Sequence, residues 1–296
     1  MILITDERCT GYHMTGHPER PARISASVEK LKASTMLDLE WVTPSEATAE
    51  AVLRAHSVRH VEHVKVEHRQ FDNDTPAHHG IYYHALRSAG GAIEAMQHAV
   101  EGRTVFSLMR PPGHHATKER AMGFCYFNSV AIAVLEAQAR GVRKVAVFDF
   151  DVHHGNGTED ILLDRPGTAF FSIHQLPCYP GTGGANVGNN CFNYPLRPYT
   201  QREPYRGTMT EALARLLALE PDLVAVSAGF DAFVNDPLAQ QTLETEDFHW
   251  LGGELRRTGV PFFSVLEGGY SDELPQLIQA YLHGVSGLPL PTAGTA

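Results

Sequence analysis

Short apolar runs alternate with longer amphipathic segments along most of this chain of 296 residues. The runs are rich in Val, Ile and Phe, and the segments between them carry Ala, Leu and Ile at spacings that give one buried helical face. Such alternation is typical of βα units, whose strands lie parallel in a sheet and whose helices cover it. The sequence therefore predicts an α/β fold with a mainly parallel central sheet and helices on both faces.

The same pattern gives approximate bounds for the elements. Strands are predicted at 104–108, 144–150, 168–173, 222–227 and 261–266, and helices at 83–100, 127–140, 207–219 and 245–257. Neither a repeat nor a Ser/Gly-rich linker nor a block of charge divides the chain, so we predict a single domain over residues 1–296. The last residues, 288–296, are expected to form a loose tail.

Composition narrows the class of protein. Apolar residues make up 43% and charged residues 20%, as in ordinary globular proteins, and the net charge of −10 argues against general nucleic-acid binding. The four cysteines lack C-x-x-C spacing, and neither a leader peptide nor an apolar run of membrane-spanning length is visible. We therefore expect a cytoplasmic protein without nucleic-acid or membrane partners, and leave its oligomeric state open.

Polar, glycine-rich loops follow four of the predicted strands. These loops are RPPGHHA (110–116), DFDVHHGNG (149–157), AGFD (228–231) and EGGY (267–270). In parallel α/β sheets, ligands bind in the crevice outside the carboxyl ends of the strands. The four loops are therefore expected to converge on one pocket.

The second loop continues a strand whose side chains alternate between two faces. If the extended backbone persists, Asp149, Asp151 and His153 project from one side, and the intervening apolar residues project from the other. Two carboxylates and an imidazole on one edge indicate either a metal site or a proton-transfer site. The alternative, a solvated acidic turn, does not explain the interleaved apolar residues.

Metal chemistry suits the residues that these loops bring together. Asp151, His153 and Asp231 would supply two oxygens and one nitrogen and leave a position open, as catalytic zinc sites do, although an oxygen-rich set also suits Fe²⁺. The tandem His114 and His115 are then candidates for general base and general acid. Tyr270 is a candidate donor to a developing oxyanion.

The chain resembles the zinc-dependent histone deacetylase family, which has the arginase-deacetylase fold. The matching motifs occur in the family's order and span nearly the whole chain. They are GHPERP (16–21), RPPGHHA (110–116), GFCYFN (123–128), DFDVHHGNG (149–157), YPGTG (179–183), SAGFD (227–231), DPL (236–238) and EGGY (267–270). The resemblance implies a three-layer fold and a deacylase that removes acetyl groups from lysine-like amines by metal-activated water.

Roles for the candidate residues follow from the resemblance. It implies that Asp151, His153 and Asp231 bind Zn²⁺, that Tyr270 polarises the acyl carbonyl, and that His114 and His115 transfer protons. It also implies that Asp149 accepts a hydrogen bond from His114 and that Asn156 is the partner of His115. The family places K⁺ beside the zinc, which here implies Asp149, Asp151, His153, Ser172 and Ile173 as its ligands.

Asn156 marks a difference within the histidine pair. An asparagine at this position resembles the class II branch, whereas other members carry an aspartate. Because a neutral amide stabilises an imidazolium less than a carboxylate does, His115 is predicted to be less basic than His114.

Substrate contacts are implied in the same way. Phe124, with Gly123 beside it, and Tyr179 match the aromatic walls of an acyl-lysine tunnel, and Asp74 matches a rim aspartate. Leu238 stands where a glutamate would favour acetylpolyamines, which favours acyl-lysine substrates. Three alternatives remain open: an acetylpolyamine or other small-molecule amidohydrolase, an acyl-lysine binding module without turnover, and a two-metal ureohydrolase of the arginase type.

Several other residues could be mistaken for parts of the site. The spacing of His56, His60 and His63 permits a metal site on one helix, but the charged residues around them favour a polar helix surface. His174 is predicted either to line the site or to be structural. Cys125 is predicted to be a wall residue, because no base stands ready to activate it.

Overall fold

Eight parallel strands form one sheet in the computed structural model, which describes residues 1–66 and 69–291. The strands are β1 (Ile2–Ile4), β2 (Glu40–Val42), β3 (Val105–Ser107), β4 (Val145–Asp149), β5 (Thr168–Gln175), β6 (Cys191–Leu196), β7 (Leu223–Ala228) and β8 (Phe262–Leu266). Their order across the sheet is β2-β1-β3-β8-β7-β4-β5-β6. The predicted parallel α/β architecture is therefore confirmed.

Helices cover both faces of this sheet. Over the described ranges they are α1 (Ala22–Lys32), α2 (Ala49–Ala55), α3 (Val58–Val66), α4 (Ile81–Val100), α5 (Ser129–Ala139), α6 (Asn156–Leu162), α7 (Arg202–Leu217), α8 (Thr245–Arg257) and α9 (Leu274–Ser286). None of them combines the length and apolarity that crossing a bilayer requires.

Alternate residues of the central strands enter two separate cores. In β4, Val145 and Val147 pack with helices α2 to α6, whereas Ala146 and Phe148 pack with α1 and α7 to α9. All five residues of this strand are buried. A strand covered on both faces needs apolar side chains on both sides, which explains why its sequence is a continuous apolar run.

The five predicted strands all form, whereas β1, β2 and β6 were not predicted. Strands β1 and β2 have three residues each, which is too few to show a period of two. Strand β6 lies at the edge of the sheet and contains Pro195, a residue that weakens the strand pattern. Helix α8 was predicted with its observed bounds, because Glu244 and Asp247 form a capping box at its start.

The sheet order brings the predicted polar loops together. Strands β3, β8, β7 and β4 are consecutive neighbours, and all run in the same direction. The loops that follow them therefore leave the sheet at one edge, as the sequence predicted.

The segment predicted as a loose tail begins with a fixed portion. His249 of α8 donates to the carbonyl of Leu288 at 2.8 Å, and His283 of α9 donates to that of Pro289 at 2.8 Å. Leu288 also packs on the core. These contacts contradict a loose tail at residues 288 and 289, and residues 292–296 lie outside the described part of the chain.

His56 and His60 are buried, so the polar-surface interpretation is wrong for both. The helical path breaks at His56, which is extended and lies between α2 and α3. His56 donates through Nδ1 to the carbonyl of Thr117 at 2.9 Å and accepts at Nε2 from the amide of Asn128 at 2.9 Å. His60 donates through Nε2 to the carbonyl of Tyr126 at 2.8 Å. Both imidazoles therefore link loops that are distant in sequence.

The buried imidazole of His56 is predicted to make folding sensitive to acid. Burial lowers its pKa in the folded protein to about 3, whereas the unfolded chain keeps a pKa of about 6.5. Between these values the unfolded chain binds more protons, so stability falls as the pH drops below about 6.5. Between about pH 7.5 and pH 5 this group should contribute about 2 kcal/mol of that loss. His56→Gln retains an acceptor for Asn128, and urea unfolding should show a smaller acid-induced loss; equal losses in both proteins would contradict this role.

Candidate metal and catalytic site

Asp151, His153 and Asp231 form a compact buried cluster at the carboxyl edge of the sheet. Their candidate ligand atoms all lie within 4.8 Å of one another. Nδ1 of His153 lies 3.1 Å from Oδ1 of Asp151 and 3.1 Å from Oδ2 of Asp231. The backbone amide of Gly268 donates to Asp151 Oδ2 at 2.7 Å, and that of Val152 donates to Asp231 Oδ1 at 2.9 Å. These amides fix the carboxylates so that their other oxygens face the imidazole.

The charge balance of this cluster fits a divalent cation. Asp149, Asp151 and Asp231 are 0% exposed, and in the described part of the chain no lysine or arginine side chain hydrogen-bonds to any of them. Buried carboxylates need compensation, and the single Nδ1 of His153 cannot donate one proton fully to two acceptors. Two oxygens and one nitrogen form the donor set expected for Zn²⁺, with Fe²⁺ as an alternative.

Two glycines allow the backbone to approach these carboxylates. A Cβ atom on Gly268 would lie 2.1 Å from Asp231 Oδ2, and one on Gly229 would lie 2.1 Å from Asp151 Oδ2. Both distances are far below van der Waals contact, so any side chain there would displace a ligand. The glycines that follow β7 and β8 are therefore requirements of the metal cluster.

Gly268→Ala is predicted to weaken metal binding selectively. The added methyl group would push Asp231 and Asp151 away from their positions, because the backbone there has no room for it. We expect the affinity for Zn²⁺, measured by competition with a chelator, to fall at least about tenfold, the effect typical of disturbing a ligand's support. Gly207→Ala is the control, since a Cβ there meets nothing within 4 Å. Equal affinities of the two variants would contradict the prediction.

The tandem histidines have different partners. Nδ1 of His114 lies 3.0 Å from Asp149 Oδ2, and Nδ1 of His115 lies 2.7 Å from Asn156 Oδ1. The two rings are stacked with their centroids 4.0 Å apart. These contacts match the pairing that the resemblance implied.

Neighbouring charges separate the basicities of the two imidazoles. Burial opposes protonation of His114, but the carboxylates of Asp151 and Asp149 outweigh it and raise its pKa to about 10. Burial and the nearby imidazoles of His114 and His153 lower the pKa of His115 well below its usual value. The order agrees with the prediction from Asn156, but burial and the two imidazoles are its main causes.

This order is predicted to appear in the metal-free protein. At about pH 7.5, nitrogen NMR of labelled histidines should show His114 doubly protonated and His115 neutral, because their pKa values shift in opposite directions. Asn156→Asp should raise the pKa of His115 by placing a negative charge on Nδ1. A His115 that titrates at higher pH than His114 in the unmodified chain would contradict the prediction.

Glu267 is a further buried carboxylate to which the sequence analysis gave no role. Its Oε2 accepts from the amides of Gly113 at 2.7 Å and His114 at 3.1 Å. Burial raises its pKa to about 7. Glu267 directly follows β8, and its place in the EGGY loop was the only available signal. It fixes the loop that carries both histidines.

A narrow cavity of about 180 Å³ opens beside the metal cluster. It is lined by Asp74, His115, Gly123, Phe124, His153, Tyr179, Leu238 and Tyr270. All five predicted substrate-contacting residues are thus placed together. His115, His153 and Tyr270 are buried, whereas Asp74 is exposed, so the cavity runs from a mouth at Asp74 to the metal cluster.

The aromatic walls of the cavity contact the catalytic candidates. The ring of Phe124 meets that of Tyr270 edge-on with centroids 5.6 Å apart, and Tyr179 meets His115 in the same way at 5.1 Å. Cys125 is buried and donates to the carbonyl of Gly123 at 3.2 Å. Burial raises the pKa of this thiol, which favours a structural rather than a nucleophilic role.

The residues implied for K⁺ lie on β4, its following loop and β5. Asp149 is the register partner of Ser172, and Ser172 and Ile173 are both buried. The Ser172 hydroxyl lies 2.9 Å from Nδ1 of His174, whose Nε2 donates to the carbonyl of Gly183 at 3.0 Å. His174 is therefore a fully bonded structural residue, one of the two roles predicted for it.

The parallel sheet, the buried Asp-His-Asp cluster and the aromatic-walled cavity define an α/β protein with a candidate hydrolytic metal centre. The family described as "Histone deacetylase domain" matches residues 17–285. The chain belongs to the histone deacetylase family, and its three-layer architecture is the arginase-deacetylase fold.

Individual relatives agree over most of the chain. A probable deacetylase of Methanothermobacter thermautotrophicus is 37% identical over 97% of this chain and 91% of its own length. Acetylpolyamine amidohydrolase 1 of Pseudomonas aeruginosa is 35% identical over 69% of this chain and 62% of its own length. The crystal structure of the HDA15 HD domain has a TM-score of 0.90 and 31% identity, covering 99% of this chain and 90% of that one.

Proposed function

We propose that this protein is a zinc-dependent deacylase that hydrolyses acetyl and other acyl amides of lysine-like amines. The observation that carries this proposal is the cavity, which brings His115, Tyr270 and the ligand His153 to its buried end. We further propose that residues 1–296 act as one catalytic domain in the cytoplasm.

The metal ligands of the proposal are Asp151, His153 and Asp231. Zn²⁺ bound there would lower the pKa of a coordinated water to about 7 and act as a Lewis acid towards the amide carbonyl. We also propose K⁺ as a second cation, held by Asp149, Asp151, His153, Ser172 and Ile173. Its support is the register that sets Asp149 beside Ser172.

His115 is the proposed general base and then the general acid. Its lowered pKa keeps the ring neutral, and its Nδ1–H donates to Asn156, so the lone pair of Nε2 is free. Nε2 takes a proton from the attacking water and returns it to the amine nitrogen when the C–N bond breaks. His114 stays protonated on Asp149 and offsets negative charge beside it.

Tyr270 is the proposed donor to the acyl oxygen. Burial raises its pKa well above the usual value, so the phenol keeps its proton at neutral pH. Its backbone amide donates to Asp236 at 2.7 Å, and the guanidinium of Arg23 lies 4.9 Å from its ring centroid. A donor held in this way stabilises negative charge as it develops on the carbonyl oxygen.

The shape of the cavity supports an acyl-lysine substrate. Gly123, Phe124 and Tyr179 form an apolar slot that suits a methylene chain. Asp74 is exposed at the mouth and can accept from a substrate backbone or a distal amine. Leu238 adds an apolar rather than an acidic group to this mouth.

Acetylpolyamines are the second candidate substrate. Asp72 and Asp74 place two carboxylates near the mouth, joined by a hydrogen bond from the Asp74 amide to Asp72 Oδ1 at 3.0 Å. A distal ammonium group would be attracted there. The relative named acetylpolyamine amidohydrolase 1 is consistent with this alternative.

Tyr270→Phe and His115→Ala are predicted to abolish most turnover of the zinc-loaded enzyme. Loss of one oxyanion donor lowers kcat about 10²- to 10³-fold, and loss of a general base about 10²- to 10⁴-fold. An acetyl-lysine peptide assay measures both effects, with zinc content and thermal unfolding as controls for binding and folding. Undiminished turnover in either variant would refute its assigned role.

The same assay separates the alternatives when acetyl-lysine peptides, acetylpolyamines and longer acyl-lysines compete. We expect acyl-lysines to be hydrolysed faster than acetylpolyamines. Binding of acyl-lysine without turnover by the intact zinc form would indicate a binding module. Two catalytic transition metals per chain would indicate ureohydrolase chemistry instead.

A further inference from the structure

The wall residue Phe124 has a backbone conformation that its own chemistry disfavours. Gly123 has a φ of +57°, and Phe124 follows with a φ of +68°. Glycine adopts the left-handed region freely, but a bulky residue does so only when its surroundings hold it there. The position of this wall must therefore be imposed by other residues.

A neighbouring loop supplies the acceptors that hold this turn. The amide of Phe124 donates to the hydroxyl of Thr75 at 3.0 Å, and the amide of Gly123 lies 3.4 Å from Oδ2 of Asp72. Thr75 is 0% exposed, and its carbonyl accepts from Phe71 at 2.8 Å. The side chain that fixes Phe124 is thus itself buried and closed into a compact loop.

The same loop also carries the mouth of the cavity. Asp74 precedes Thr75, and its carbonyl lies 3.2 Å from Nε2 of His17. The ring of His17 meets that of Phe124 edge-on, with centroids 4.7 Å apart. Backbone and side-chain contacts therefore fasten the Phe124 wall to the segment that forms the rim.

We propose that Thr75 is a positioning residue that sets the width of the cavity through the backbone of Phe124. The inference rests on the proposed deacylase function. Its hydroxyl keeps Phe124 left-handed, so that the ring stays against Tyr270 and narrows the slot. Without this acceptor the amide of Phe124 loses its partner, and the backbone relaxes towards an ordinary φ. Discrimination against longer acyl groups then falls.

Thr75→Val and Thr75→Ser test this proposal, because valine keeps the shape of threonine without the acceptor and serine keeps the hydroxyl. In zinc-loaded Thr75→Val, KM for an acetyl-lysine peptide should rise about tenfold with kcat changed less than about twofold, as expected for loss of one buried hydrogen bond that acts in binding. The preference for acetyl over butyryl peptides should also fall about tenfold. Thr75→Ser should restore both values.

Tyr126→Phe is the matched control for the stability of the loop. The Tyr126 hydroxyl donates to the carbonyl of Pro76, so this variant removes a bond to the same segment without touching the amide of Phe124. We expect a lower Tm and an unchanged acyl preference. An acyl preference altered equally in Tyr126→Phe and Thr75→Val would overturn the specific role of Thr75.

Amide hydrogen exchange gives a readout that does not depend on activity. The amide of Phe124 should exchange at least about tenfold faster in Thr75→Val than in Thr75→Ser, because only serine retains an acceptor. Thr75→Ala replaces Thr75→Val if the latter does not fold. Unchanged exchange in a folded variant that lacks the hydroxyl would overturn the proposal. Absence of turnover by the unmodified enzyme on every acyl amine would instead refute the proposed function, and exchange would still decide the role of Thr75.

Discussion

Burial of negative charge at one edge of the sheet controls the arrangement of the site. Asp149, Asp151, Asp231 and Glu267 are all 0% exposed there. Each needs donors, and much of the hydrogen bonding comes from backbone amides in the loops that follow neighbouring strands, such as those of Val152, Gly113 and Gly268. Amides can approach so closely only where Cβ atoms are missing, which explains the glycines at positions 229 and 268. The carboxylates thus determine loop sequence as well as metal binding.

The same field gives two adjacent histidines opposite properties. His114 faces Asp149 and lies near Asp151, whereas His115 faces an amide and lies among other imidazoles. A charged group and a neutral base therefore stand side by side without any difference in residue type. Such separation of pKa values by environment is the usual way in which a protein assigns acid and base roles.

Local patterns predicted the parts of the fold that repeat, and failed where the decisive contact is distant. Strand β4 was predictable because burial on both faces leaves a continuous apolar run. The buried role of His56 was not, since its partners Thr117 and Asn128 lie far along the chain and the helix breaks at His56 itself. For the site, motif order predicted which residues meet. The hold of Thr75 on Phe124 left no local signal, because it depends on a left-handed backbone that the sequence does not reveal.

The alternation of side chains along β4 and its following loop makes the chemistry depend on strand pairing. Val145 and Val147 enter one core, Ala146 and Phe148 enter the other, and Asp149 pairs with both Ser172 and Ser227. A pairing shifted by a single residue would exchange the two cores and turn the acidic side chains towards a helical layer. A chain folded with this error would lose its ligand set along with its packing. Correct alignment of the strands and possession of a working centre are therefore the same event in this molecule.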